Sequence, residues 1–420
     1  MEFSGLTGPT QLGRSAHSPH QPSPTVLLWP DPDREPAAQL GQLRSPGTAD
    51  QVGKGLGAPV RHELTELRIA HRLRDMQRLP YVVVTNPHLS LVYELYYKSF
   101  ESFRRVPVIR SVEENDALCE VISTSLKEHL SVIPNLVMGV LECQDFVGAD
   151  VMDHFVNTML RARISRRVIA EQHLALTETF NSPGHVPQTS SENEFVGEVL
   201  LRCNAKEVVE RCGVLTQDIC RSAIGAGAAV PEIKVEGHVN ATFPYVLSHL
   251  EYIIGELLRN SIQATMDHHQ DAGSPPPPIE VLICEAPQHV VMRISDRGGG
   301  IPRDIMPFLW SFNKGPRSVS RLRNFEKVPN LAATMEEVQQ PSLQRPDGNI
   351  RDSSLSRLAS RPPDLRLGMG LPMSKVYAEY WAGGLELHSL EGYGVDAFLQ
   401  ISKLGNQNEQ LISRASVEAL

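Results

Sequence analysis

One amphipathic helix, predicted over Tyr245–His269, lies at the centre of the second half of the chain. Its large apolar residues recur at i, i+3, i+4, i+7 and i+8, the stripe of a helix that packs on a core: Leu250, Ile253, Ile254, Leu257 and Leu258. Glu256, Asn260 and Gln263 share a different face, so a carboxylate and a carboxamide stand one turn apart. A carboxylate can act as a general base, and an asparagine oxygen is a ligand suited to Mg²⁺. On its own this face is interpreted as solvated, because most polar side chains lie at the surface.

Composition narrows the class of protein. The chain has 420 residues, enough for two or three domains, and 41% of them are hydrophobic, enough for real cores. Without a run of about 18 apolar residues, no membrane span is expected. The net charge of −9 gives no electrostatic reason to expect nucleic-acid binding. The six cysteines lack metal-ligand spacing and are expected to be reduced core thiols of an intracellular protein.

The sequence pattern changes along the chain and predicts an α+β fold. Residues 1–61 are rich in Pro, Gly, Ser and Gln and are expected to be a disordered or targeting segment, although their acidic residues give poor support for import. Residues 62–190 carry helical patterns with short connections, which predicts an N-terminal helical bundle. Residues 191–405 mix helices with alternating strands and predict a two-layer α/β sandwich, followed by a tail over 406–420.

Four helices are predicted in the first of these domains: Glu63–Leu79, Leu89–Phe103, Asn115–Gly139 and Ala149–Thr177. In the second helix, Leu91, Leu95 and Phe100 are expected to face the core. His129 and His173 lie on or near amphipathic helices, where a histidine is usually structural or exposed.

An acidic residue and three glycines follow a predicted strand, Val290–Ser295. In Asp296-Arg-Gly-Gly-Gly300 the carboxylate can accept a hydrogen bond while the glycines let the backbone approach a ligand. A tight turn with an aspartate cap is the simpler alternative, but three glycines are more than such a turn needs.

A second glycine pair, Gly368 and Gly370, precedes the helix predicted over Met373–Trp381. Glycines at a helix start expose unpaired amides to an anion, although this signal is weak by itself. Between the two glycine motifs, residues 311–366 are polar and patternless, which predicts a flexible lid. A closing hairpin is predicted from Leu385 to Ile401.

This order of motifs resembles the GHKL-type ATP-binding domain of chaperone and mismatch-repair ATPases, sensor histidine kinases and mitochondrial 2-oxoacid dehydrogenase kinases. The segments His129–Pro134, Arg163–His173 and Val246–His249 are similar to those of the pyruvate and branched-chain 2-oxoacid dehydrogenase kinases. So are Leu79-Pro-Tyr81 and Asn86-Pro87, and the likeness covers residues 62 to 405 in order.

The resemblance implies an ATP-dependent serine kinase that phosphorylates and inactivates the E1α subunit of a mitochondrial 2-oxoacid dehydrogenase complex. Pyruvate dehydrogenase is the first expectation for the complex, and the branched-chain complex is the alternative. The family also implies a mitochondrial matrix location, a homodimer, and docking to the lipoyl domain of the E2 core.

The resemblance assigns roles to particular residues. Glu256 would be the general base for the substrate serine, and Asn260 would coordinate Mg²⁺ on the ATP phosphates. Asp296 would bind the adenine amino group. The full nucleotide-binding set that the resemblance implies is Asn260, Asp296, Gly298, Gly300, Gly368, Gly370 and Leu371.

Several positions depart from the family pattern and keep alternatives open. Tyr252 stands where pyruvate-specific animal enzymes have a histidine, Val395 replaces a usual threonine, and Arg366 replaces a motif glycine. These departures motivate a catalytically weak nucleotide-binding regulatory paralogue as one alternative. A sensor-type histidine kinase is another, with only His129 and His173 as candidate phosphoacceptors.

Overall fold

The computed structural model describes residues 58–181, 195–196, 198–224, 229–270, 275–313, 315, 324 and 368–405. The predictions for residues 1–57, for nearly all of the lid over 311–366 and for the tail over 406–420 lie outside these ranges.

The first part of the chain is helical, as predicted. Its helices are α1 (Ala58–Gln77), α2 (Tyr81–Val84), α3 (Pro87–Arg104), α4 (Val112–Glu128), α5 (Val132–Glu142) and α6 (Ala149–Asn181). Local chemistry sets several of the starts. The Asn86 side chain accepts the amides of His88 and Leu89 at the start of α3, where Pro87 needs no partner. Ser111 and Glu114 form a capping box at the start of α4.

The single helix predicted over Asn115–Gly139 is wrong, because a 3₁₀ turn at His129–Ser131 separates α4 from α5. Pro134 explains the break. It lacks an amide hydrogen and its ring would clash with the carbonyl of residue 130 in a continuous helix. In the first turn of α5, where amides are unpaired in any case, Pro134 is accommodated.

The buried face of α3 differs from the predicted one. Leu91 is 40% exposed, while Leu95 and Phe100 pack only partly against the core. The buried residues of the helix are Leu89, Val92, Tyr96, Ser99 and Phe103. Their spacing is also helical, so the prediction of an amphipathic helix is confirmed, but the face that is buried is not the predicted one.

The second part combines helices with two sheets, which confirms the α+β class. The small sheet has the order β1 (Phe195–Val196), β2 (Val199–Asn204), β4 (Thr242–Val246) and was not predicted. The larger sheet has the order β3-β5-β6-β8-β7, formed by Ile233–Gly237, Ile279–Glu285, His289–Ser295, Gly394–Ser402 and Gly384–Leu390. Strand β3 is parallel to β5, and the other pairs are antiparallel.

Three helices accompany these strands: α7 (Ala205–Ile224), α8 (Leu247–His269) and α9 (Gly370–Tyr380). The helix predicted from Tyr245 begins at Leu247, because Tyr245 and Val246 belong to β4. All five residues of the predicted apolar stripe of α8 are at most 2% exposed, which confirms α8 as a core helix.

All six cysteines lie in described ranges and are free. Cys143, Cys203, Cys212 and Cys220 are buried, whereas Cys284 is exposed. Burial raises the pKa of the Cys203 thiol to about 12. None of the helices in the described ranges combines the length and apolar content that crossing a bilayer requires.

Candidate active site

The carboxylate of Glu256 is enclosed where α8 meets the start of α9. Glu256 is only 2% exposed, so its interpretation as part of a solvated face is wrong. A side-chain carbon at Gly370 would lie 2.9 Å from the Glu256 carboxyl carbon and would collide with Oε2. The first turn of α9, which carries the positive end of the helix dipole, therefore lies directly over this carboxylate.

Asn260, one turn after Glu256, remains exposed on the same helix. Its neutral oxygen is therefore accessible to a ligand beside an enclosed carboxylate. Gln263 follows and is half-buried.

Asp296, at the end of β6, is buried within a set of donors. Its Oδ2 accepts the Ser261 hydroxyl at 2.9 Å, and its Oδ1 accepts the amides of Gly298 at 3.0 Å and Val395 at 3.3 Å. Burial raises the pKa of Asp296 above its usual range, and these three hydrogen bonds act in the opposite direction. No role for Ser261 was predicted from the sequence. The available signal was its position directly after Asn260 on α8.

The glycine turn after Asp296 packs on α8 without intervening side chains. A side-chain carbon at Gly298 would lie 2.5 Å from the Ala264 Cβ and 3.0 Å from the Thr265 nitrogen. Gly300 ends the turn against the carbonyl of Leu390. The β7–β8 turn is hydrogen-bonded to the glycine turn, because the Gly392 amide donates to the Gly299 carbonyl at 2.8 Å. At Gly298 and Gly300 the backbone itself therefore forms the packing surface of the turn.

The second glycine motif leads into α9, which starts at Gly370 and so earlier than the predicted Met373. Gly368 lies in the turn before the helix. The Leu371 side chain packs partly against the hydrophobic core. Leu371 can therefore serve an anion only through its amide in the first turn. Arg366 lies outside the described residues.

An aromatic cluster that sequence reasoning missed joins α8 to α9. The indole nitrogen of Trp381 donates to His249 Nδ1 at 3.4 Å, and the His249 ring lies 4.5 Å from the ring of Tyr377. Tyr252, one turn before Glu256, lies 5.2 Å from the same tyrosine ring. The cluster fixes the position of α9 relative to the helix that carries the carboxylate.

His129 is a structural histidine, as predicted. It is 2% exposed, and Arg166 donates to its Nδ1 at 3.0 Å. Because arginine can only donate, Nδ1 is unprotonated and the ring is neutral, with Nε2 directed at Ser99 and the Leu95 carbonyl. Burial, followed by the charges of Arg166 and Arg163, lowers the pKa of His129 well below its usual value. An enclosed imidazole of this kind is a poor phosphoacceptor.

Two family models match the chain, one over the helical region and one over the region that contains the larger sheet. Residues 55–200 match the mitochondrial branched-chain alpha-ketoacid dehydrogenase kinase model. Residues 246–403 match the model of the histidine kinase-, DNA gyrase B- and HSP90-like ATPases. The second match includes Glu256, Asp296 and both glycine motifs.

Curated relatives extend over both regions. Mitochondrial pyruvate dehydrogenase (acetyl-transferring) kinase 2 of Saccharomyces cerevisiae is 35% identical over 84% of this chain and 78% of the yeast protein. The chain belongs to the mitochondrial 2-oxoacid dehydrogenase kinase family. This kinase is also 28% identical to the Arabidopsis thaliana pyruvate dehydrogenase kinase, over 85% of this chain and 87% of that one. It is 27% identical to human isozyme 4, over 88% and 82% of the two chains.

Membership of the family makes the chain a protein kinase with a GHKL-type ATP-binding domain, as predicted. It also supports a mitochondrial location, because the relatives are mitochondrial kinases. ATP is therefore the phosphoryl donor.

Proposed function

We propose that this kinase phosphorylates a serine of the E1α subunit of a 2-oxoacid dehydrogenase complex in the mitochondrial matrix and thereby inactivates the complex. Pyruvate dehydrogenase is the first candidate substrate, since the relatives are named for it. The observation that carries the proposal is the enclosed carboxylate of Glu256 beneath the first turn of α9. This arrangement sets a base beside a helix terminus suited to phosphate.

In the proposed mechanism, Glu256 orients the substrate hydroxyl and takes its proton as the oxygen bonds to the terminal phosphorus of ATP, while the bond from that phosphorus to the bridging oxygen breaks and ADP leaves. Asp296 accepts a hydrogen bond from the adenine amino group, and the glycine turn at Gly298 and Gly300 lies against the adenine ring. The amides of the first turn of α9, preceded by Gly368, attract the phosphates. The protein contributes mainly position and charge stabilisation, because phosphoryl transfer requires little covalent chemistry from it.

Asn260 would hold Mg²⁺ together with the phosphates. The residues present fit this ion, since an exposed carboxamide oxygen is a hard ligand and stands one turn from Glu256. When bound, Mg²⁺ neutralises negative charge on the phosphates.

The family likeness also supports three further expectations for this chain. These are a homodimer, docking to the lipoyl domain of the E2 core, and a division into a helical regulatory domain (62–190) and a kinase domain (191–405). The matched family models, over residues 55–200 and 246–403, support that division.

The branched-chain complex is the second candidate substrate. It is favoured by the match of the helical region to the branched-chain enzyme and by Tyr252, which replaces the histidine of pyruvate-specific animal enzymes. A weak regulatory paralogue remains the alternative of another class, because Val395 offers only a backbone amide near Asp296.

The deciding experiment incubates the full chain with ATP and Mg²⁺ in two parallel reactions. One contains the purified pyruvate dehydrogenase complex, and the other contains the purified branched-chain complex. Mass spectrometry should locate new phosphate on a serine of one E1α subunit, with a matching loss of complex activity. ATP binding without phosphate on either complex would contradict the kinase proposal and favour the regulatory paralogue. Acid-labile phosphate on the protein itself would instead indicate a histidine kinase.

A further inference from the structure

Helix α6 belongs to the helical region, yet two of its side chains contact the ATP-binding region. Asp153 accepts hydrogen bonds from residues 311 and 312, which follow the glycine turn and the 3₁₀ helix Met306–Phe308. Arg161, two turns later, forms an ion pair with Glu379 near the end of α9. We refer to Asp153 and Arg161 together as the α6 clamp.

The Asp153 end of the clamp fixes three consecutive residues. Its Oδ2 accepts the Ser311 hydroxyl at 2.7 Å, and its Oδ1 accepts the Phe312 amide at 2.9 Å. The Ser311 oxygen in turn accepts the amide of Asn313 at 3.2 Å. One carboxylate from the helical region thus determines the backbone path of the segment 311–313. Hydrogen bonds to an ionised acceptor are stronger than neutral ones, which makes this contact a specific anchor.

The same segment buries one polar side chain at a cost in free energy. Asn313 is fully buried, and within the described part of the chain neither atom of its side-chain amide has a hydrogen-bond partner. A buried amide without partners costs free energy. The burial of Phe312 and the hydrogen bonds from residues 311 and 312 to Asp153 offset that cost.

The segment also adjoins α9. Lys375 of α9 lies 4.5 Å from the centre of the Trp310 ring, so residue 310 contacts α9 while residues 311 and 312 contact α6. Gly370 of α9 lies against the Glu256 carboxylate. A displacement of α9 would therefore move its first turn, which is proposed to attract the phosphates, relative to Glu256. The α6 clamp therefore restrains two of the elements that assemble around Glu256.

We propose that Asp153 is a positioning residue for the ATP site, and that the α6 clamp holds the 311–313 segment and α9 in the arrangement that binds ATP. The inference rests on the proposed ATP site around Glu256. It extends that site to a helix that sequence reasoning assigned to the other domain.

The test compares ATP·Mg²⁺ binding by calorimetry for the full chain and for Asp153→Asn. Asparagine keeps the shape of the side chain and can still contact Ser311 and Phe312, but its hydrogen bonds are those of a neutral amide, which are weaker than those of a carboxylate. We expect the ATP dissociation constant to rise about tenfold, equivalent to about 1.4 kcal/mol. Asp150→Asn, which removes the same charge from an exposed position of α6, should leave the dissociation constant within about twofold of the wild type.

A general loss of stability is separated from positioning by Val156→Ala. Val156 is fully buried on α6, so its truncation should lower the melting temperature without changing ATP affinity at 25 °C. The inference is overturned if Asp153→Asn binds ATP like the wild type, or if Val156→Ala weakens binding equally. A wild-type chain that does not bind ATP would overturn the proposed site and this inference together.

A charge exchange tests the second contact and remains informative if Asp153→Asn fails to fold. Arg161→Glu places two carboxylates side by side and should weaken ATP binding at least about threefold. Adding Glu379→Arg restores opposite charges and should return the affinity to near the wild-type value. Failure of the double variant to recover, or an unchanged single variant, would contradict the clamp.

Discussion

Gly370 approaches Glu256 so closely that no side-chain carbon can be inserted between the first turn of α9 and the carboxylate. The two residues lie more than a hundred positions apart in sequence, on helices joined by the His249–Tyr377–Trp381 cluster. In the proposed mechanism, this contact places the general base next to the helix turn that attracts the ATP phosphates.

We therefore expect Gly370→Ala to reduce phosphoryl transfer by about 10²-fold, because the methyl group must displace Glu256 and a shift of about 1 Å in a catalytic group has effects of that size. Helix propensity alone would favour alanine, by at most about 1 kcal/mol at this first helical position, so a loss would show that the tertiary contact prevails. Initial-rate assays with a purified complex give the measurement. Gly384→Ala in β7, where a side-chain carbon meets nothing within 4 Å, is the control and should retain activity.

Glu256→Gln should lower transfer by about 10²–10⁴-fold while leaving ATP affinity nearly unchanged, because the amide keeps its shape but cannot take a proton. Single-turnover assays and calorimetry measure the two quantities. Glu280→Gln, at an exposed position of β5, controls for the loss of a carboxylate. Equal rates for Glu256→Gln and the wild type would remove Glu256 from the mechanism.

Asp296→Asn should weaken ATP binding by about tenfold or more. The variant can satisfy Ser261, Gly298 and Val395, since the amide nitrogen can donate to the serine hydroxyl while its oxygen accepts the two backbone amides. It would then present altered hydrogen-bonding groups to adenine. Normal folding with unchanged ATP affinity would contradict the assignment of Asp296 to the adenine site.

The same variant tests the raised pKa of Asp296. An unfolded aspartate titrates near about pH 3.9. Because burial raises the pKa in the folded state, the folded protein retains this proton to higher pH than the unfolded chain does. The free energy of unfolding of the wild type relative to Asp296→Asn should therefore fall as pH rises above about 3.9 and level off above the folded-state pKa. Urea unfolding of both proteins between about pH 3 and 7 measures this difference; a difference that grows with pH would refute it.

His129 should make the folded protein sensitive to mild acid. Its pKa is lowered well below the usual value, so below about pH 6.5 the unfolded chain binds a proton that the folded state rejects. Stability should therefore fall from about pH 7 to 5, and His129→Gln should make this decline shallower. Thermal unfolding across that range measures the effect, with His388→Gln, at an exposed position of β7, as the matched loss of a surface imidazole.

Local chemistry in the sequence determined much of this protein. The spacing of leucine and isoleucine was sufficient to identify α8 as a core helix, and the strand predicted over Val290–Ser295 matches β6 to within one residue. The order of the Glu–Asn helix and the two glycine motifs indicated the family. Each helix, strand and motif among these signals lies within one short segment, where the 3.6- and 2-residue periods act directly.

Other features were decided by partners distant in the chain. The periodicity of α3 showed that one face is buried but not its phase, so Leu91 was placed inward although it is exposed. Strand β4 forms because β2, some 40 residues earlier, supplies its hydrogen-bond partner. The enclosure of Glu256 by Gly370 and the bond from Ser311 to Asp153 join residues more than 100 positions apart. A pattern within one segment shows which face of a helix or strand must be buried, but only the tertiary structure determines which residues cover it. Here the first turn of α9 covers Glu256 and encloses part of the polar face of α8.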